Sequence, residues 1–322
     1  MHDIRRCIFH VPNNIDKDAK SGSSKRPLRM IEAFKENGYI VDVVMGYAKE
    51  RKKQMADIKN NIENGVKYDF LYSESSTMPT ALTERNHLPI HPFLDFSFLK
   101  YCSKRKIRIG LFYRDIHWMF SHYKNNVSIW KRLITIPFYR YDLYRYRKLI
   151  DILYLASDDV KKYLPAKNKN SNVHYKIHIL PPGCEIEPIL PYRKDNTKLR
   201  IFYVGGISND LYNFKKLFEV VKDNKKVSLK ICCREDDWNK VKDEYEKYLS
   251  DNISIVHLTG EKLKECYENT DICSLLFNEN DYMKMAMPVK TFEYLSYNKP
   301  IIATEGTVSG EFVKSNKIRL DN

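Results

Sequence analysis

A lysine and a glutamate three residues apart stand in the run MAMPVKTFEYLSYNKPIIAT (285–304), where a helix is predicted. Pro288 favours the first position of that helix, which should end near Asn298. Lys290 and Glu293 then share one face, which we expect to be exposed. A carboxylate can accept hydrogen bonds from ribose hydroxyls, and an ammonium group beside a helix N-terminus can neutralise phosphate. The alternative is a solvated Lys–Glu pair, worth a few tenths of a kcal/mol.

The remaining side chains of this helix are predicted to divide between core and solvent. At about 100° per residue, three apolar residues cluster on one side, and two tyrosines fall beside Lys290 and Glu293. The predicted core residues are Val289, Phe292 and Leu295, and the predicted exposed tyrosines are Tyr294 and Tyr297.

Two glycines close another predicted strand, LRIFYVGG (199–206). Gly205 and Gly206 would let a ligand approach the backbone closely, although glycine pairs also form ordinary turns. Arg234 directly follows the predicted strand SLKICC (228–233), and ligands bind at the carboxyl ends of parallel strands. Arg234 is therefore a candidate for binding an anion, and a plain surface arginine is the alternative.

Three titratable residues, Arg114, Asp115 and His117, follow the strand predicted at IRIGLFY (107–113). Such a cluster at a strand end is a candidate for catalysis. A structural Arg–Asp pair beside a merely polar His117 is the alternative. The loop SGSSKRP (21–27), between the first strand and the first helix, is basic and well placed for a phosphate or an acceptor, and a solvated loop is equally consistent with it.

A basic and aromatic stripe occupies KRLITIPFYRYDLYRYRKLI (131–150), with six Lys and Arg, five aromatic residues and one acid. Rings at headgroup level and cations on phosphates are typical of proteins that bind an anionic bilayer surface. The same residues could stack on single-stranded nucleic acid, but no nucleic-acid motif accompanies them, so we favour the membrane. A helix with core-facing tyrosines and solvated charges is the third alternative.

Two series of strands that alternate with amphipathic stretches must position these side chains, a pattern typical of parallel α/β sheets. The first series has predicted strands at 4–11, 39–46, 69–74, 107–113, 151–157 and 178–180. The second has them at 199–206, 228–233, 253–258, 272–277 and 300–304. Each series predicts a Rossmann-like domain, and two such domains would face each other across a cleft.

The predicted domains are an N-terminal domain over 1–185, a linker over 186–198 and a C-terminal domain over 199–322. The linker prediction rests on LPPGCEIEPILPYRKDNTK (180–198), which has four prolines and no periodicity. The second domain is about 50 to 60 residues shorter than a usual doubly wound half, so we expect it to be incomplete.

Composition excludes several classes of protein. With 43% apolar, 30% charged and 13% aromatic residues, the 322-residue chain is neither disordered nor fibrous. No apolar run approaches the roughly 18 residues of a membrane span, and we expect no signal peptide. Seven cysteines without a CxxC pair indicate reduced thiols and therefore the cytoplasm. The net charge of +14 predicts an anionic partner: nucleic acid, a membrane surface or a substrate phosphate.

The run PxKxxEYLxxxKPIIAT resembles the donor-site signature of retaining, nucleotide-sugar-dependent glycosyltransferases of family 4, which have the two-Rossmann glycosyltransferase-B fold. LRIFYVGGI (199–207) is similar to the first strand and glycine turn of that family's C-terminal domain. TGEKLKECYENTDICSLLF (259–277) is similar to the helix and strand before its donor loop, and LPPG (180–183) to its interdomain approach. GLFYRDIHWMF (110–120) is similar to the corresponding strand and loop of capsule or surface-polysaccharide members.

The resemblance implies how a nucleotide sugar is held. Glu293 matches the second of the family's paired glutamates, which holds the nucleotide ribose. Met285 stands where the first glutamate is expected, so Glu279 or Asp281 is left to bind the sugar hydroxyls. Gly206 replaces an arginine that often holds the diphosphate, and Lys215 matches the lysine that follows it. The predicted donor-binding residues are therefore Glu293, Lys290, Gly205, Gly206, Lys215 and Arg234.

The expected activity is transfer of a sugar from a nucleotide diphosphate-sugar to a saccharide acceptor, lipid-linked at the inner face of the membrane. Transfer builds positive charge on the sugar and negative charge on the departing phosphate. The predicted catalytic residues, which would stabilise these charges, are His117, Asp115 and Arg114. No metal or other cofactor is expected, because Pro89 prevents His87 and His91 from sharing a helical metal site. The alternatives are a nucleotide-sugar 2-epimerase, a nucleic-acid-binding protein, and a non-catalytic truncated remnant or partner-dependent subunit.

Overall fold

The computed structural model describes residues 5–15, 22–164, 175–184, 187–188, 197–207, 211–212, 214–278 and 280–318, with the backbone alone for 22–25. The chain divides into two compact units, unit 1 (Met1–Pro181) and unit 2 (Pro182–Asn322). Most of the predicted linker, 186–198, lies outside the described residues. Each unit has its own parallel sheet, which confirms the α/β prediction.

Unit 1 is built on a parallel sheet of six strands in the described part of the chain, ordered β2-β1-β3-β4-β5-β6. All six predicted strands of the first series are present, each within about three residues of its predicted ends. Their bounds are β1 (Arg6–His10), β2 (Ile40–Val44), β3 (Phe70–Glu74), β4 (Arg108–Phe112), β5 (Ile152–Leu155) and β6 (Lys176–Ile179).

The helices of unit 1 cover both faces of this sheet, as a parallel sheet requires. Their bounds are α1 (Gly22–Glu36), α2 (Ala48–Glu63), α3 (Leu94–Lys104), α4 (Ser121–Asn126) and α5 (Ile129–Leu149). Short 3-10 turns occur at Thr80–Leu82, His117–Met119 and Asp158–Lys162. No helix in the described ranges is long and apolar enough to cross a bilayer.

Unit 2 is built on a sheet of five described parallel strands, ordered β11-β10-β7-β8-β9. The second predicted series is likewise confirmed strand by strand. The bounds are β7 (Leu199–Val204), β8 (Val227–Cys232), β9 (Ile253–Val256), β10 (Ile272–Leu275) and β11 (Ile301–Ala303). The helices are α6 (Lys215–Lys222), α7 (Glu235–Asn239), α8 (Lys242–Tyr245), α9 (Glu261–Glu268), α10 (Asp281–Met285), α11 (Val289–Ser296) and α12 (Val308–Ser315).

Strand order fixes where each unit can hold a ligand. In unit 1 the chain passes from β1 to β2 and then returns to the other side of β1, so its order reverses between β1 and β3. In unit 2 the same reversal lies between β7 and β10. Loops diverge at such a point and leave a crevice outside the carboxyl ends of the strands, where open α/β sheets bind ligands. The candidate ligand-binding side chains of each unit therefore lie at these two places.

Candidate functional site

The glycine turn of unit 2 lies at the reversal point of its sheet. Strand β7 ends at Val204, and the backbone N–H of Gly205 donates to the Cys232 carbonyl at the end of β8, at 2.9 Å. Gly205 has a φ of 140°, which side-chain-bearing residues rarely adopt. A Cβ added there would lie 2.5 Å from Cε and 2.6 Å from Nζ of Lys290. A glycine is therefore needed for both the turn and the close approach of this lysine.

Lys290 lies in an aromatic recess over that turn. Its Nζ is 4.1 Å from the ring centroid of Tyr203 and 4.2 Å from that of Tyr212, and it donates a hydrogen bond to the Tyr203 hydroxyl. Tyr203 in turn donates to the Gly206 carbonyl at 2.6 Å. Burial lowers the pKa of Lys290 to about 7, opposed by the charge of Glu293. Lys290 is therefore not the solvated lysine of the alternative interpretation, because the two rings attract and partly cover its ammonium group.

The aromatic recess gives a prediction for Gly205→Ala. The added methyl group should push Lys290 off Tyr203, and the strained φ should lower the free energy of unfolding by about 2 kcal/mol. The matched control is Gly260→Ala, also at a positive φ, 62°, but with open space around the added Cβ. We expect both variants to lose stability in urea unfolding, and only Gly205→Ala to change the titration of Lys290 followed by NMR. An unchanged Lys290 titration in Gly205→Ala would contradict the contact.

Helix α11 is rotated relative to its predicted orientation. Thr291 and Tyr294 are its buried residues, whereas Val289 is exposed. Tyr294 is drawn inward because its hydroxyl accepts from the Val204 N–H and donates to the Ser274 carbonyl, at 3.2 and 3.3 Å. These two hydrogen bonds connect α11 to β7 and β10 and stabilise the buried position of Tyr294. The spacing of apolar residues along the helix does not indicate them. Pro288 is the N-cap residue and not the first helical position.

Glu293 lies one turn after Lys290 on α11 and is half-buried. Together with burial, its carboxylate raises the pKa of the Tyr267 hydroxyl well above the usual value, and it also raises that of the exposed Cys184 thiol. Tyr267 stacks on Tyr297 with ring centroids 4.0 Å apart. The carboxylate of Glu293 thus lies beside the Tyr267–Tyr297 stack, one helical turn after Lys290.

The two other cations predicted to bind the donor are engaged with neighbouring acids. Lys215, the first residue of α6, pairs with Glu244 at 2.7 Å. Arg234, before α7, is largely exposed and pairs with Asp237 at 2.8 Å. Their roles as donor ligands stay predictions. Glu279 lies outside the described residues, and Asp281 begins α10.

Unit 1 places a second cluster at its own reversal point. Glu74 at the end of β3 is fully buried, and its carboxylate oxygens lie 3.2 Å from Nε of Arg26 and 2.9 Å from Nη2 of Arg114. The Tyr72 hydroxyl donates to Glu74 at 3.2 Å. The Arg26 guanidinium also stacks over the Phe112 ring, 3.8 Å from its centroid. One buried carboxylate therefore fixes two guanidinium groups at this edge.

Asp115 and His117 form a separate pair beside Arg114. Asp115 accepts from the backbone N–H of His117 at 2.9 Å, and the His117 ring nitrogen Nδ1 lies 3.5 Å from the Asp115 carboxylate. The ring meets Tyr123 and Tyr139 edge-on, at 5.3 and 6.0 Å between centroids. The structure thus gathers the three predicted catalytic residues at one strand end, with Arg114 oriented by Glu74 and His117 by Asp115. Their catalytic role stays a prediction.

Four residues of these clusters escaped the sequence analysis as site residues. The sequence indicates Tyr203 only as part of an apolar strand and does not single out Tyr212, since nothing in it signals that Lys290, 87 residues after Tyr203, covers their rings. Arg26 was included only as part of a basic loop. Glu74 carried the clearest signal, since it is an acid at the carboxyl end of a buried strand. A buried carboxylate there requires a cationic partner.

The fold is similar to those of solved glycosyltransferases. HepE from Anabaena, in complex with UDP and glucose, has a TM-score of 0.57 at 8% identity, covering 96% of this chain and 82% of that one. An alpha-glucosyltransferase in complex with UDP and a 13-mer DNA has 0.54 at 14% identity, over 94% and 80%. The lipopolysaccharide outer core galactosyltransferase WaaB has 0.53 at 11% identity, over 94% and 81%.

These likenesses define the class of fold, the glycosyltransferase-B fold with two Rossmann-like units, and confirm the fold prediction. The identities are too low to carry over an activity, a substrate or a residue role. No protein-family model matches the sequence, and no curated protein matches it.

Proposed function

We propose that the protein is a glycosyltransferase that moves a sugar from a nucleotide diphosphate-sugar to a saccharide acceptor. One observation carries this proposal: Lys290 is held over the Gly205 turn at the reversal point of the unit 2 sheet, with Glu293 three residues further along the same helix. A cation and a close-approach turn suit a diphosphate, and a carboxylate suits the ribose hydroxyls. The sequence resemblance points to the same ligand.

The fold neighbours support a nucleotide-sugar donor, because HepE was solved with UDP and with UDP-glucose. In unit 1, Arg114 and His117 would stabilise charge on the phosphate and the sugar during transfer. Retention of anomeric configuration and a place in surface or capsular polysaccharide synthesis belong to the proposal through the sequence resemblance alone. A lipid-linked acceptor belongs to it through the basic and aromatic stripe at 131–150. No residues of the described part form a group of three or more His, Cys, Asp or Glu that could hold a metal ion.

Nucleotide titration tests this proposal. We expect a nucleoside diphosphate to bind in calorimetry, and Glu293→Gln to weaken it about tenfold, since a hydrogen bond to a charged group contributes about 1.5 kcal/mol. The matched control is Glu305→Gln, an exposed glutamate of the same unit, which should bind like the wild type. If no member of a panel of nucleoside diphosphates binds, or if Glu293→Gln changes nothing, the proposal fails.

The choice between transfer and epimerisation needs a second experiment. Incubation with a nucleotide sugar alone should leave it unchanged apart from slow hydrolysis, and addition of a saccharide acceptor should release the nucleoside diphosphate. Appearance of an isomeric nucleotide sugar without any acceptor would favour the 2-epimerase instead. Mass spectrometry of the products from a lipid-linked acceptor pool would identify the sugar and the acceptor.

A further inference from the structure

Helix α5 exposes an apolar surface that the glycosyltransferase proposal does not use. At its N-terminal end the side chains of Ile129, Trp130, Leu133 and Ile134 are 58%, 75%, 60% and 55% exposed. Single exposed apolar residues are common, but four large ones within six residues form a contiguous patch of the kind that marks an interaction site.

A basic groove of about 380 Å³ continues this patch along the helix. Its lining includes Lys124, Arg140 and Arg147 together with the rings of Trp118 and Tyr144, and it contains no acidic side chain. Within the described residues no ion pair engages any of these three cations. At about 100° per residue, the patch and the α5 residues of the groove fall within roughly half of the helix circumference, so one flat partner could contact both.

The single acid of α5 does not offset this charge, because it points the other way. Asp142 is buried, and its carboxylate accepts from the Thr80 N–H at 2.7 Å. Burial raises its pKa to about 7. Helix α5 therefore buries Asp142 on its core side together with Tyr139, Leu143 and Tyr146. Its cations and its exposed apolar side chains face the solvent.

We propose that this surface docks on an anionic phospholipid bilayer, with headgroup phosphates in the groove against Lys124, Arg140 and Arg147. Trp130, Leu133 and Ile134 then enter the boundary between headgroups and acyl chains. Charge complementarity selects the anionic lipid, and the exposed aliphatic side chains select a bilayer over a nucleic acid, which has no apolar layer to receive them. The docking itself does not depend on the proposed function. Only the link between the docked surface and a lipid-linked acceptor rests on it.

Vesicle sedimentation tests the docking. We expect the protein to bind vesicles of phosphatidylcholine with phosphatidylglycerol, and to bind pure phosphatidylcholine at least tenfold more weakly. Neutralising one cation near a charged bilayer weakens binding about fivefold, so Arg140→Gln with Arg147→Gln should weaken it about 25-fold. The charge-matched control is Lys225→Gln with Lys226→Gln, two exposed lysines of unit 2, which should bind as the wild type does.

Tryptophan fluorescence gives a second readout. Trp130 is the largely exposed tryptophan of the patch, whereas Trp118 is buried. Brominated acyl chains should therefore quench part of the emission of the wild type, and Trp130→Phe should abolish that quenching while binding persists. Absence of quenching, equal binding to neutral vesicles, or equal binding by the double arginine variant would each overturn the proposal.

Competition with nucleic acid and a control for folding complete the test of the docking surface. Binding to a single-stranded oligonucleotide that phosphatidylglycerol vesicles do not displace would assign the groove to nucleic acid and overturn the proposal. Urea unfolding of the double arginine variant should match that of the wild type, which shows that unit 1 of the variant is folded. Titration with a nucleoside diphosphate reports on unit 2 and should also be the same in both proteins, so failure of the membrane proposal can be distinguished from failure of the glycosyltransferase proposal.

Discussion

Lys290→Met is expected to weaken the binding of a nucleoside diphosphate by about 30-fold. Methionine keeps the apolar contacts with Tyr203 and Tyr212 but removes the cation that the structure holds over the Gly205 turn. A charge-assisted hydrogen bond to phosphate in a half-buried site contributes about 2 kcal/mol, which corresponds to this factor. Calorimetric titration at pH 7 measures the change directly.

The same lysine predicts how donor binding depends on pH. Burial lowers the pKa of Lys290 to about 7, so the free protein carries an ammonium group below pH 7 and a neutral amine above it. Phosphate favours the ammonium form, and binding above pH 7 must therefore take up a proton. The affinity should fall as the pH rises from 7 to 8.5, by up to tenfold per pH unit. Lys290→Arg keeps its charge over this range and should flatten the profile.

The control for this prediction is Lys284→Met, an exposed lysine of α10, which should change neither the affinity nor its pH profile. Urea unfolding of each variant separates loss of the ligand contact from loss of the fold. Wild-type affinity in Lys290→Met would remove Lys290 from the donor site. A pH profile that stays the same in Lys290→Arg would place the titrating group elsewhere.

The sequence predicted the strands well because both sheets are parallel and their central strands are buried on both faces. Their apolar runs are short, rich in β-branched and aromatic residues, and bounded by polar segments, so β1 to β11 could be located without tertiary information. Strand order was not accessible in this way. It depends on which crossover connection places β10 beside β7 and not beside β9, and this choice creates the reversal point where Gly205 meets Lys290.

The side chains of the candidate sites were harder to predict than the elements that position them. Helical periodicity placed Lys290 and Glu293 near one another, but it treated Lys290 as solvated and Tyr294 as exposed. Both errors have one physical cause, which is that tyrosine combines a large apolar ring with a hydroxyl. Tyr294 is buried because its hydroxyl pairs with two backbone groups, and Lys290 is covered because Tyr203 and Tyr212 attract its charge. Neither partner is near in sequence.

A buried ionic network in unit 1 was also not predicted from the sequence, because its members are far apart along the chain. Its disruption has the largest expected effect on stability. Asp95 of α3 lies 2.9 Å from Nε2 of His10 at the end of β1, and 3.2 Å from Nε of Arg51 in α2. Arg51 also donates to the carbonyls of Pro12 and Gly46, at 2.8 and 2.7 Å. His10, Arg51 and Asp95 are each 2% exposed. The network therefore joins two helices to the strand that borders the reversal point of the unit 1 sheet.

Asp95→Asn is expected to lower the free energy of unfolding of unit 1 by about 3 kcal/mol, because it leaves the buried Arg51 guanidinium without its full counter-charge. Urea unfolding with hydrogen exchange of β1 and β3 measures this loss in unit 1 alone. The control is Glu32→Gln, which breaks the solvent-exposed Arg29–Glu32 pair at 3.0 Å and should cost about 0.5 kcal/mol or less. If both variants lose equally little, the network does not hold α2 and α3 against β1. If Asp95→Asn alone destabilises unit 1, the network of His10, Arg51 and Asp95 holds α2 and α3 against β1.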